Sequence, residues 1–247
     1  MNWFEVTGIL STSALFLPVI TTLALRLAWY KSFPALLVYY VLVFGFNFIS
    51  LDYFKADKEF VYYFGVANNF LDAPLMLGFM TYFSKTAAFR KKMKLLIPVF
   101  VLFEIVVVIV NGFNLDSAII VLGPGLLIVL CFSVLFFVHL AKIAITRLKA
   151  VGKACMVAAL IFAYCGYSFI YVVYYLFDTS DKVNTFIVYF LVNIFSCLLL
   201  TIGIALERRR VRQLMELQTA RNELKVVYGR TEITTAASKK QPQWKNL

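Results

Sequence analysis

The sequence predicts an all-α integral membrane protein. It is expected to be a seven-helix bundle with its N-terminus outside, its C-terminus cytoplasmic and a cytoplasmic helix extending the last span. Three observations carry this. Hydrophobic residues make up 62% of the 247 residues and mean hydropathy is +0.84, whereas globular domains are only about half apolar. Seven apolar stretches approach the roughly 20 residues that cross a bilayer. Basic residues fall on every second connection, as they do where Lys and Arg are retained on the cytoplasmic side.

In chain order the spans are Gly8–Trp29, Phe33–Leu51, Phe60–Ser84, Leu95–Asn111, Ser117–Lys142, Ala154–Phe177 and Val183–Leu206. The first is preceded by the acidic Glu5 instead of a basic region and runs to about spanning length, so it reads as a span rather than a cleaved signal. Arg26 and Lys31 flank the first connection. Lys85, Arg90, Lys91, Lys92 and Lys94 occupy the third, and Lys142, Arg147, Lys149 and Lys153 the fifth. Arg208, Arg209, Arg210 and Arg212 follow the last span. The intervening connections are acidic or mixed: Asp52, Lys55, Asp57, Lys58 and Glu59, then Asp116, then Asp178, Asp181 and Lys182. Trp3, Trp29, Tyr30, Tyr53, Tyr82 and Tyr175 fall at expected interfaces, where amphipathic rings collect. Pro18, Pro74 and the Gly123-Pro124-Gly125 run predict bends, because proline removes a backbone donor and crowds the preceding turn.

Three regions follow: a seven-span bundle over 1–206, a cytoplasmic helical extension over 207–228 with Leu214, Leu217 and Leu224 on a broken stripe, and a polar, aperiodic basic tail over 229–247 expected to be disordered. The net charge of +11 is explained by topology rather than by nucleic-acid binding. Cys131, Cys155, Cys165 and Cys197 all lie in apolar stretches without metal spacing, which predicts packing residues and no disulfide. A single histidine, His139, supplies neither bis-histidine haem ligation nor a multi-histidine zinc site. No cofactor is expected.

The candidate site rests on polar groups inside the apolar spans. An intramembrane ionisable group costs about 2.5–3.5 kcal/mol on insertion scales, so its retention points to function. Asp72 is central in the third span. Asn68 and Asn69 lie four and three residues before it and share its helical face. Two amides beside a carboxyl suit a polar headgroup, a cation or a proton. Pro74 frees the carbonyl of Phe70 as a further acceptor. Glu104, central in the fourth span, has no polar helper on its own face. Tyr164, Tyr167, Tyr171 and Tyr174 form one face of the sixth span, with Ser168 beside them. Such a stripe walls a pocket or forms an aromatic packing seam. Asn47, Asn111 and Asn193 add polar groups at mid-depth or farther out. The resulting expectation is an outward-opening pocket between the third, sixth and seventh spans, taking a small or amphiphilic ligand.

Other readings use the same residues. Asp72 and Glu104 form an acid/base pair in an intramembrane lipid hydrolase, or serve an ion- or proton-coupled transporter. The absence of a visible internal repeat counts against the latter. Alternatively the chain is a structural subunit of a membrane complex, its carboxyls acting as interhelical clamps.

Seven spans with this orientation invite comparison with rhodopsins, but Val183–Leu206 has no lysine for a retinal Schiff base. The third span ends Tyr82-Phe83-Ser84-Lys85 and the seventh lacks an Asn-Pro pair, so G-protein-coupled receptors match in topology alone. Glu207-Arg208-Arg209-Arg210-Val211-Arg212-Gln213-Leu214, with Leu217 and Leu224, resembles the exit helix of seven-transmembrane sensory modules in bacterial signalling proteins. That resemblance implies a multi-pass protein of the bacterial cytoplasmic membrane. Family members lead into a histidine kinase or cyclase. The remaining sequence is too short for one, which implies output through a cytoplasmic or membrane partner protein or a homodimer. Membrane lipids are the other expected partners.

Overall fold

The seven apolar stretches fall on seven successive helices, some running past the helix ends. The computed structural model describes residues 3–50, 56–84, 86–147, 150–173 and 182–238. The helices are α1 (Trp3–Ala24), α2 (Phe33–Ser50), α3 (Lys58–Met80), α4 (Ala87–Asn111), α5 (Leu115–Arg147), α6 (Val151–Tyr171) and α7 (Lys182–Ser238). One 3-10 turn, Thr81–Phe83, follows α3. There is no strand among the described residues.

Six helices are long and apolar enough to cross a membrane: α1, α2, α4, α5, α6 and α7, as in a multi-pass membrane protein. α3 is 23 residues long but does not reach that hydropathy. Lys58 and Glu59 at its start and Asn68, Asn69 and Asp72 in its middle are the cause. The bundle is also apolar on the outside. Along α4 alone Leu95, Val99, Leu102, Ile105, Val106, Ile109 and Val110 are exposed, while Glu104 is buried. Water-soluble monomers rarely present a continuous apolar surface of that kind.

Several boundaries differ from the sequence reading. α1 stops at Ala24 rather than Trp29, because Arg26 turns the chain into the left-handed region (φ 54°). Trp29 is then 93% exposed on the connection. α4 starts at Ala87 rather than Leu95. The Thr86 hydroxyl caps it by accepting from the Phe89 amide at 3.2 Å, so the basic run Arg90–Lys94 is helical. Hydropathy had placed that end, yet Lys and Arg are good helix formers. α4 ends at Gly112, whose φ of +83° suits glycine. Asn114 then caps α5 by accepting from the Ser117 amide at 2.9 Å.

Adjacent helices pack in an order that follows the chain: α1 on α2, α2 on α3, α3 on both α4 and α5, α4 on α5, and α5 on α6. α6 and the bundle part of α7 approach backbone to backbone. A Cβ at Gly152 would lie 2.6 Å from the Glu207 nitrogen, and one at Gly203 would lie 2.8 Å from the Met156 nitrogen. Glycine at both positions is therefore a packing requirement, as at close helix crossings in membranes. Connections gather at two ends. Tyr82 meets Lys31, Lys153 and Glu207 at one end. At the other, the Leu115 amide donates to the Tyr62 hydroxyl at 3.0 Å and Tyr63 stacks on Phe113.

The chain divides at Glu207 into the bundle and a second unit, Arg208–Leu247. Within the second unit Arg212 pairs with Glu216 at 3.0 Å, an exposed i,i+4 bridge of small energetic weight. Leu214, Leu217 and Leu224 are exposed. α7 is helical through Ser238, past the Tyr228 where the sequence places its end. No proline interrupts it before Pro242. Residues 239–247 of the tail, Asp52, Tyr53, Lys55, Lys85, Lys149, Tyr174, Tyr175, Asp178 and Asp181 lie outside the described residues.

Candidate functional site

Asn68, Asn69 and Asp72 line one cavity of about 190 Å³. The i, i+1, i+4 spacing on α3 turns all three the same way. Five helices line the space. Tyr39 and Val43 come from α2, Leu122 and Leu126 from α5, Tyr167, Ile170 and Tyr171 from α6, and Tyr189 from α7. The expected pocket drew on the third, sixth and seventh helices; α2 and α5 join them. Drug-sized sites run from about 300 to 1,000 Å³, so this space fits a small polar molecule or a headgroup.

The α6 tyrosines divide their hydroxyls among three neighbours. Tyr164 is buried and donates to Asp72 Oδ1 on α3 at 2.8 Å. Tyr167 donates to Asn193 Oδ1 on α7. Tyr171 donates to the Ile119 carbonyl on α5 at 3.2 Å, in the turn ahead of Pro124. A Cβ at Gly123 would lie 2.8 Å from the Tyr171 hydroxyl, so that glycine admits the ring. The stripe thus ties α6 to α3, α5 and α7, and Tyr167 and Tyr171 also wall the cavity. A second carboxylate neighbour is Tyr39, which interacts with Asp72 from α2. The Tyr167 and Tyr189 rings lie 5.8 Å apart.

Three candidates stand off the cavity wall. Tyr164 adjoins it through Asp72 and through the Tyr167 ring, and Asn193, fully buried on α7, through Tyr167 and Tyr189. Glu104 is 7% exposed and interacts electrostatically with Asp72. Its Oε1 is buried with no hydrogen-bond partner among the described residues. Asn47 donates to the Val43 carbonyl of its own helix at 2.8 Å and also bonds Tyr189 across to α7. Asn111 is an exposed residue at the end of α4, its carbonyl accepting from Asn114 at 2.8 Å.

No family model, curated protein or solved structure matches this chain. Function therefore rests on the chemistry of the cavity itself. Its walls hold amides, phenols and one carboxylate against aliphatic side chains, a lining suited to orienting a polar group. Among the described lining residues there is no serine, cysteine, histidine or lysine, so Asp72 and the four tyrosines are the titratable groups of the wall. No cluster of three metal-ligating acids, histidines or cysteines exists among the described residues, and all four cysteines are unpaired.

Sequence reasoning missed Tyr39 and Tyr189. Both had a signal. Tyr39, Val43 and Asn47 recur every four residues on α2, and Tyr189 precedes Asn193 by one turn on α7, polar-aromatic stripes like that on α6. It also missed Glu207. That residue stands at the head of a basic run, yet it is 0% exposed and accepts from the Tyr82 hydroxyl at 2.5 Å. The Lys153 ammonium donates to the Tyr82 carbonyl at 3.3 Å and lies 4.0 Å from the centre of its ring.

Proposed function

We propose that this chain is a non-enzymatic, seven-span membrane receptor or sensor protein. It binds a small or amphiphilic ligand in the cavity beside Asp72. The observation that carries this reading is the convergence of Asn68, Asn69, Asp72, Tyr39, Tyr167, Tyr171 and Tyr189 from four helices on one cavity. A few polar groups set among apolar side chains around one concave space are the form that small-molecule sites take. In this reading Asp72, Asn68 and Asn69 hold the polar end of the ligand and the tyrosines wall it. Binding repacks the helices around Pro74 and Pro124. Output passes through α7 beyond Glu207 to a partner protein or to a second copy of the chain. A signalling role in a bacterial cytoplasmic membrane follows from the exit-helix resemblance.

Mass spectrometry of the full chain released from its host membrane tests the ligand. A bound small molecule is expected with the wild type. Asp72→Asn removes the charge while keeping an acceptor for Tyr164, and is expected to weaken retention about tenfold, the value of one hydrogen bond to a charged group. Tyr171→Phe weakens it less. If both variants retain the molecule as the wild type does, this site does not hold it.

The same reading makes α3 a span, with the N-terminus outside. Its support is the gathering of Lys31, Tyr82, Lys153 and Glu207 at one end, as alternating connections require. In a cysteine-free background, Asp57→Cys is expected to react with an impermeant maleimide from outside intact cells, and Lys91→Cys only after lysis. Equal reactivity from one side would remove α3 from the membrane.

A further inference from the structure

A second pocket, of about 220 Å³, lies at the end of the bundle away from the Tyr62–Leu115 contact. Its wall carries Lys31 from the α1–α2 connection and Arg90 and Lys94 from the first turns of α4. Its floor is Ser32, Thr81 and Tyr82. The Ser32 and Thr81 hydroxyls bond to each other at 2.7 Å, and Thr81 also bonds to the Gly78 carbonyl at 2.8 Å. That pair fixes the connection against the 3-10 turn. Lys31 takes a left-handed backbone (φ 50°), and its ammonium lies 5.0 Å from the Tyr30 ring centre and 5.8 Å from that of Tyr82.

No carboxylate is present among the described residues of this wall. Lys31, Arg90 and Lys94 form no ion pair among the described residues. Three like charges around one concavity repel unless an anion occupies it. The charge is also selectively placed. Arg90 and Lys94 are one turn apart and face the pocket, whereas Lys91 and Lys92 on the same helix do not line it.

We propose that this pocket binds an anionic phosphate, the chemistry shared by a phospholipid headgroup and a soluble phosphate. The surface beside it favours the lipid. Directly after Lys94 the exposed residues of α4 become apolar, with Leu95, Val99 and Leu102, a track for an acyl chain below the headgroup. Basic pockets at the ends of membrane helices hold lipid phosphates in this way. The site is independent of the cavity beside Asp72 and stands whether or not that cavity holds a ligand.

The full chain is placed in lipid discs of equal phosphatidylcholine and phosphatidic acid, and the lipid retained on release is counted by native mass spectrometry. Two charge-matched variants are compared, Arg90→Gln with Lys94→Gln and Lys91→Gln with Lys92→Gln. The first pair is expected to lose about tenfold in affinity for phosphatidic acid, and the second to stay within about threefold of wild type. In discs of phosphatidylcholine alone, the same proteins are titrated with inorganic phosphate. Saturable binding lost only in the first pair assigns a soluble phosphate. Selective loss of phosphatidic acid without phosphate binding assigns a headgroup. Equal losses in the two pairs, or no preference of the wild type for either anion, would overturn the proposal.

Discussion

Gly152→Ala is expected to destabilise the bundle by about 3 kcal/mol, the upper end of overpacking costs. The added methyl would meet the Glu207 nitrogen at 2.6 Å, the Glu207 Cα at 2.9 Å and the Gly203 carbonyl at 2.9 Å. All three are backbone atoms, so no side chain can swing aside and α6 and α7 must separate. Separation also strains the neighbouring Cys155 thiol, which donates to the Leu199 carbonyl at 3.3 Å. Gly45→Ala is the control. Its nearest neighbour is the Phe64 ring at 3.9 Å, an ordinary contact, and relief of glycine's backbone entropy is worth about 0.5–1 kcal/mol. Thermal unfolding in detergent should therefore place Gly152→Ala well below wild type and Gly45→Ala at or above it. If the two alanine variants unfold together, the close α6–α7 contact is absent.

The second large effect is Tyr82→Phe, with an expected loss of about 2 kcal/mol, within the range for a hydrogen bond to a charged group. The substitution keeps the ring. The edge-on contacts with Phe33 and Phe83 remain, as does the Lys153 ammonium above it. The hydroxyl that donates to Glu207 is removed. The carboxyl it served is fully buried, so water does not replace the donor. Glu207→Met combined with Tyr82→Phe should cost less than the sum of the two single changes, because each of them removes the same hydrogen bond. Additive losses in that cycle would show that the 2.5 Å contact carries no coupling.

The number and order of the helices were legible because hydropathy and helix length vary together along a membrane chain. Their ends were not. Thr86 caps α4 well before the apolar run begins, and Arg26 ends α1 inside one. Hydropathy records where lipid is, whereas caps and backbone sign decide where a helix is. Within the site, the Asn68–Asn69–Asp72 face could be read from spacing on one helix. The partners Tyr39 and Tyr189 come from helices distant in sequence, and no local pattern states which stripes will meet. Glu207 shows the converse failure. A carboxylate beside three arginines looks like a solvated charge, and its burial depends on Gly152 and Gly203 letting α6 and α7 close together.

The central claim is that the space beside Asp72 is a ligand site. A high-resolution map of the full chain in lipid, held by a rigid antibody fragment, tests it most directly. Ordered non-protein density within hydrogen-bond distance of Asp72 and Asn68 or Asn69, flanked by Tyr167 and Tyr171, is the predicted result. A cavity closed by these side chains on one another, with Asp72 bonded only to Tyr39 and Tyr164, would contradict it and make the polar cluster a helix clamp.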